Sequence, residues 1–184
     1  VYDPEYTTIF PRMWNNQENR YIDDYKRWAG IANDPENKHI PTFSENLRYF
    51  VGYQLNHMYW RYFFWNFAGR QNDNQGMYAD LLNGNWISGI SFIDEMRLGP
   101  QEIPVSLENK ARNTYFLLPL IFGLLGLYYQ YKKNYKDGLV VTLLFVMTGL
   151  AIVIYLNQHS PQPRERDYAY AASFYAFTIW IGLS

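Results

Sequence analysis

Two arginines stand inside the most aromatic stretch of this chain. Residues 58–73 read MYWRYFFWNFAGRQND, and seven of the first ten side chains are aromatic, with Arg61 among them and Arg70 just beyond. A guanidinium presents five N–H donors in a planar fork, which suits a phosphate or a carboxylate. Large rings beside it can stack on a sugar or sit at the boundary between water and an apolar phase. A water-soluble core would use Leu, Ile and Val to fill space and would keep Arg out. The alternative is an aromatic packing helix whose arginines reach solvent.

A second constellation lies in NQHSPQPRERDYAY, where Arg164, Glu165, Arg166 and Asp167 directly precede an apolar run. At a membrane surface two arginines can grip a lipid-linked phosphate while neighbouring acids hold them in place. The same pattern also suits an ordinary charged boundary of a span. In NWISGISFIDEMRLG, Asp94 and Glu95 offer carboxylates for acid and base work, but adjacent positions on a helix point about 100° apart, which favours a solvated polar face. His39, His57 and His159 are far apart and have no companion at ligand spacing, so no metal site is expected. The absence of Cys excludes disulfides, thiolate metal sites and Cys nucleophiles.

The elements that must position these groups are legible in the apolar pattern. The mean hydropathy of −0.34 averages a polar first part with a different end. Residues 115–131 and 139–156 carry no charge, and each would rise about 25–27 Å as a helix, close to the ~30 Å hydrocarbon thickness. They are expected to form a transmembrane hairpin within residues 113–158, joined by the seven-residue loop KKNYKDG. Residues 159–184 are read as a loop followed by the start of a third span, cut short at the last residue. Lys132, Lys133 and Lys136 place the hairpin loop in the cytoplasm by the positive-inside rule, so residues 1–112 and 157–167 face outside.

Within residues 1–112, a helix over residues 18–28 puts Tyr21, Tyr25 and Trp28 on one face as surface packing. TFSE at residues 42–45 has capping-box spacing and starts a helix predicted over residues 43–68, with Gly69 at its C-cap. At a period of 3.6, Phe43, Leu47, Phe50, Val51, Leu55, Met58, Tyr62 and Trp65 form one stripe and Gln54, His57 and Arg61 another. Arg48, His57 and Arg61 disfavour a free spanning helix, so this one is expected at the interface or packed on other helices. A short helix capped by Asn85 and a linker over residues 99–113 follow. The net charge of −1 gives no reason to expect nucleic acid. The expected fold is therefore mainly α: a fragment of a polytopic membrane protein with a loop-rich extracytoplasmic region and an amphipathic aromatic helix. With no initiator Met and no signal-peptide pattern, it reads as an internal piece of a longer chain.

Three segments in order, MYWRYFFWNFAGRQND, NGNWISGISFIDEMRLGP and YLNQHSPQPRERDYAYAASFYAFTIWIG, closely resemble a bacterial multi-pass membrane family of the protein O-mannosyltransferase-like type, in the GT-C class of glycosyltransferases. The resemblance covers most of the chain from about Thr7. It implies transfer of a sugar, mannose in the family's name, from a lipid-phosphate carrier to a protein or glycan hydroxyl at the outer face of the bacterial inner membrane. No cofactor is implied, and the presumed catalytic acid belongs to an outer loop that this fragment lacks. In that frame Arg61, Arg70, Arg164 and Arg166 contact the phosphate, Trp60, Trp65 and Trp86 border the sugar or lipid, and Asp73 and Asp94 are the candidate acids. The competing reading is a non-catalytic envelope protein that binds or transports a lipid-linked sugar.

Overall fold

The computed structural model describes residues 7–13, 15–32, 39–100, 109–164 and 166–184, and the chain is mainly helical. Helix α1 (Asn19–Ala29) closes on Gly30 at φ 73° and buries Tyr25 between the flanking half-buried rings of Tyr21 and Trp28, as their spacing predicts. The expected linker of residues 99–113 falls partly at 101–108, outside the described residues, as do Trp14 and Glu165.

Thr42 opens the longest helical run. Its hydroxyl accepts from the Glu45 N–H at 3.4 Å, and the Glu45 carboxylate accepts from the Thr42 N–H at 2.8 Å, completing the predicted capping box. Helix α2 (Phe43–Tyr49) continues through a π-helical segment (Phe50–Trp60) into α3 (Arg61–Phe67). The π segment corrects the predicted stripe. Its wider turns make the buried positions step through Tyr49, Gln54, Met58, Phe63 and Phe67 at intervals of four or five, whereas Phe43, Leu47 and Val51 are exposed. The supposed polar seam also divides, with Gln54 and Arg61 buried and His57 half-buried.

Ala68, rather than the predicted Gly69, follows the last helical turn. Gly69 begins β1 (Gly69–Arg70), which pairs antiparallel with β2 (Asn113–Thr114). Its φ of 153° leaves the Ile87 and Asn113 carbonyl oxygens 2.8 and 2.7 Å from where a Cβ would stand, so glycine is required there. Helix α4 (Ser91–Leu98) starts later than expected. Ile90 occupies its N-cap position with no side-chain cap, while Asn85 donates instead to the Asp80 and Asn83 carbonyls inside the loop.

Four helices complete the chain: α5 (Leu118–Lys133), α6 (Tyr135–Thr148), α7 (Leu150–Leu156) and, after a 3₁₀ turn at Asp167–Tyr170, α8 (Ala171–Leu183). The seven-residue hairpin loop shrinks to Asn134, because both helices extend into it and the Asn134 side chain caps α6 by accepting from the Lys136 N–H. Together α6 and α7 make one helix, Tyr135–Leu156, long and apolar enough to cross a membrane, with 22 residues, a mean hydropathy of 2.7 and only 11% of its apolar window buried. At 16 and 13 residues, α5 and α8 are shorter than the ~20 that a full crossing needs.

Glycine sets the packing of these helices. Phe177 of α8 lies on Gly123, and the Trp180 carbonyl lies on Gly126, so α8 runs parallel to α5. The Tyr131 ring rests on Gly138, bringing α6 back antiparallel. At Gly149 this one helix is distorted between α6 and α7, with φ −116° and ψ −86°. Ser173 donates to the Phe145 carbonyl at 2.9 Å, so the Tyr59 hydroxyl must donate to Ser173 Oγ at 2.7 Å. The start of α5, the end of α7 and the start of α8 thereby meet the aromatic helix at one end of the bundle. The turn at Asn134 lies at the other.

Candidate functional site

Arg61 stands where the π segment gives way to α3. Its Nε donates to the His57 carbonyl at 2.8 Å and its Nη1 to the Gly84 carbonyl at 3.1 Å, which ties the aromatic helix to the Asn-rich loop. Its Cζ lies 4.5 Å from the centre of the Tyr62 ring and 4.8 Å from that of Trp65. Arg70, on β1, donates from Nε to the Ala111 carbonyl at 3.2 Å and sets its Cζ 5.3 Å from the Trp65 ring. A third arginine arrives from the loop before α8, where the Arg166 backbone N–H donates to the Tyr62 hydroxyl at 3.3 Å. Two of the four arginines selected from sequence, Arg61 and Arg70, thus set their guanidinium groups against Trp65, while Arg166 meets Tyr62 through its backbone N–H. Arg164 does not join them; it is exposed, 5.8 Å from the Tyr168 ring.

Two donors, Trp65 Nε1 in this cluster and Arg166 Nε in the loop before α8, are buried without a hydrogen-bond partner among the described residues. Buried donors are costly to leave unmade. Unmet N–H groups beside guanidinium groups form the donor set that a multiply charged anion satisfies. The charge of Arg166 is felt next door. Burial first, and then the Arg166 and Arg20 charges, hold His159 below its ordinary value.

The two acids chosen from sequence occupy different settings. Asp94 is buried, and its oxygens accept from the Ser88 N–H at 2.7 Å, the Ser88 hydroxyl at 2.9 Å and the Gly89 N–H at 2.9 Å. Asp73 is exposed and accepts from Asn109 Nδ2 at 2.6 Å. The acid that shares a cleft with Arg61 is Asp24, which sequence reading passed over. That cleft of about 60 Å³ is lined by Asp24, Trp28, Tyr53, His57, Arg61 and Ser160 among others. Asp24 accepts from the Ser160 hydroxyl at 2.5 Å and pairs with Arg27 at 3.3 Å. The signal was present: Asp24 lies three residues after Tyr21 and four before Trp28, on the ring-bearing face. His57 is neutral here, because burial and then the Arg61 charge push it down to about 3 against a hydrogen bond that its ring donates to the Gly76 backbone.

The tryptophans also differ. Trp65 is buried under the Arg61, Arg70 and Tyr62 groups, and Trp86 lies between Phe64 at 4.7 Å and the Arg97 guanidinium at 3.7 Å. Trp60 is more open and walls an apolar groove of about 810 Å³ between the aromatic helix and α5, α6 and α8.

A family of unknown function, DUF8416, matches residues 1–51, a segment that precedes every arginine and tryptophan of the cluster. No curated protein and no solved structure matches the chain.

Proposed function

We propose that the chain is part of a GT-C-type membrane glycosyltransferase that moves a sugar, with mannose the expected one, from a lipid-phosphate carrier to a protein or glycan hydroxyl. The proposed setting is a multi-pass protein of the bacterial inner membrane, with residues 1–112 and 157–167 on its outer face. The observation that carries the reading is the pair of guanidinium groups, Arg61 and Arg70, on Trp65, with the Arg166 backbone held on the adjacent Tyr62 and the buried donors Trp65 Nε1 and Arg166 Nε unmet among the described residues. Exposed Leu124, Leu125, Val140 and Leu143 on α5 and α6 support a lipid environment, since soluble monomers rarely present such contiguous apolar faces.

In this reaction a base removes the acceptor proton, the acceptor oxygen bonds to the anomeric carbon, and the bond from that carbon to the phosphate oxygen breaks. The charge that develops on the leaving phosphate falls to the arginine cluster. Asp73 has the exposed carboxylate and Asp24 the one beside Arg61, so these two are better placed than Asp94 to take a proton. The saturation of Asp94 favours the second reading, a non-catalytic protein that holds a lipid-linked sugar through the same cluster.

Full-length protein carrying this chain, given lipid-phosphate mannose and an acceptor peptide, separates the two. Transfer is expected, and Arg166→Lys should lower it by about ten- to a hundredfold because Lys keeps the charge but loses the Nε–H. Donor binding without transfer would leave the binder. Unchanged transfer in Arg166→Lys would remove the cluster from the reaction.

A further inference from the structure

The cleft beside Arg61 is lined by donors and acceptors in different states. Tyr53 donates to the His159 carbonyl at 3.2 Å, Ser160 to Asp24 at 2.5 Å, and Arg61 to the His57 and Gly84 carbonyls at 2.8 and 3.1 Å. These donors are turned to acceptors of the fold. The acceptors have capacity left. A carboxylate offers about four lone-pair sites, and Asp24, its side chain 19% exposed, takes one bond from Ser160 and one from Arg27 among the described residues. Gln162, on the same lining, is buried, and its Oε1 has no hydrogen-bond partner among the described residues. The cleft is suited to a donor.

Charge narrows the identity of that donor. Arg61 already stands in the wall, and together with burial its charge holds His57 neutral, so an ammonium group would meet the same penalty. Asp24 in turn repels an anion. A neutral hydroxyl remains. Size narrows the choice further, because about 60 Å³ holds roughly two water molecules or one hydroxymethyl group, and a pyranose ring cannot enter. The Trp28 and Tyr53 rings line the cleft and suit the C–H groups of a sugar, and exposed Tyr78, edge-on to Trp28 at 4.8 Å, stands with exposed Met77 at its rim.

We infer that this cleft seats the hydroxymethyl group of the carrier-borne hexose, its hydroxyl donating to the Asp24 carboxylate, and so selects a hexose over its 6-deoxy counterpart. Arg61 joins the two sites, because it lines the cleft and also lies on Trp65, as Arg70 does. The inference rests on the proposal that the chain handles a lipid-linked sugar, whether it transfers that sugar or only binds it. It makes Asp24 a specificity residue and leaves Asp73 to take the acceptor proton.

Binding of polyprenyl phosphate mannose and of its 6-deoxymannose analogue to the full-length protein in detergent tests this. Wild type should hold the mannose lipid about tenfold tighter, as one hydrogen bond to a charged group provides. Asp24→Leu, similar in volume, should bring the two lipids to equal affinity while the helical signal persists. If Asp24→Leu does not fold, Met77→Trp at the exposed rim serves in its place, because closing the cleft should also erase the difference. Equal affinities in wild type would overturn the inference, giving the cleft to water and leaving the arginine site standing. A preference that survives in the folded variant would overturn it as well. Failure of both lipids to bind would remove the carrier reading and the inference with it.

Discussion

The end of the molecule built from residues 39–100 and 157–164 and the bundle of α5 to α8 are held together by different means. In the first, buried polar side chains bind one another over long sequence separations. Gln54 Nε2 donates to Asn157 Oδ1 at 3.0 Å and to the Gln158 carbonyl at 2.8 Å, Tyr53 donates to the His159 carbonyl at 3.2 Å, and Asn72 accepts from the Gly84 N–H at 2.8 Å. In the bundle, glycines let backbone and rings approach, and hydrogen bonds between helices are few. Each such bond is worth about 1 kcal/mol, so no single polar pair dominates the first region. A glycine under a backbone carbonyl admits no adjustment, so the bundle should fail at single positions.

Gly126→Leu is the sharpest way to show this. A Cβ there would run into the Trp180 carbonyl oxygen, and separating α5 from α8 should cost ~3 kcal/mol or more, seen as loss of monodisperse protein on extraction. Protonation of His57 probes the polar region. Its folded value of about 3 lies below the ordinary 6.5, so the unfolded chain takes up a proton that the folded chain refuses between those values. Stability should therefore fall as pH falls below 6.5 and towards 3, by on the order of 2 kcal/mol at pH 5. His57→Phe should flatten that slope in melting curves taken from pH 7 to pH 5. A smaller effect is expected where the two regions join. Tyr59→Phe removes the donor to Ser173 but leaves the Ser173 bond to the Phe145 carbonyl, and should lower stability by about 1 kcal/mol.

The same contrast governs what could be read from the sequence. The capping box at Thr42 and Glu45, the ring face of α1 and the apolar runs are local patterns, and the structure contains all three. The register of residues 50–60 was not legible, because a stripe drawn at 3.6 residues per turn assumes the helix type that the π segment lacks. Asn134 as the whole turn between α5 and α6 was hidden by a cluster of lysines that also suits the polar ends of two helices. Arg61, Arg70 and Arg166 were identifiable by residue type. The seating of Arg61 and Arg70 on Trp65 and of the Arg166 backbone on Tyr62 depends on β1, the loop before α8 and a contact spanning more than a hundred residues, none of which has a local signature. Asp24 was missed because its role depends on Ser160 and Arg61 reaching α1 from distant segments.

Binding of a polyprenyl phosphate against the matching polyprenol, measured on the full-length protein in detergent, tests the arginine cluster most directly. The two ligands share every apolar contact and differ only in the group that Arg61, Arg70 and Arg166 would hold. The phosphate should bind at least about tenfold tighter, and Arg70→Gln combined with Arg166→Gln should bring it to the level of the alcohol. Equal affinity of wild type for the two ligands, or a preference that survives in the double variant, would contradict the assignment of this cluster to a phosphate.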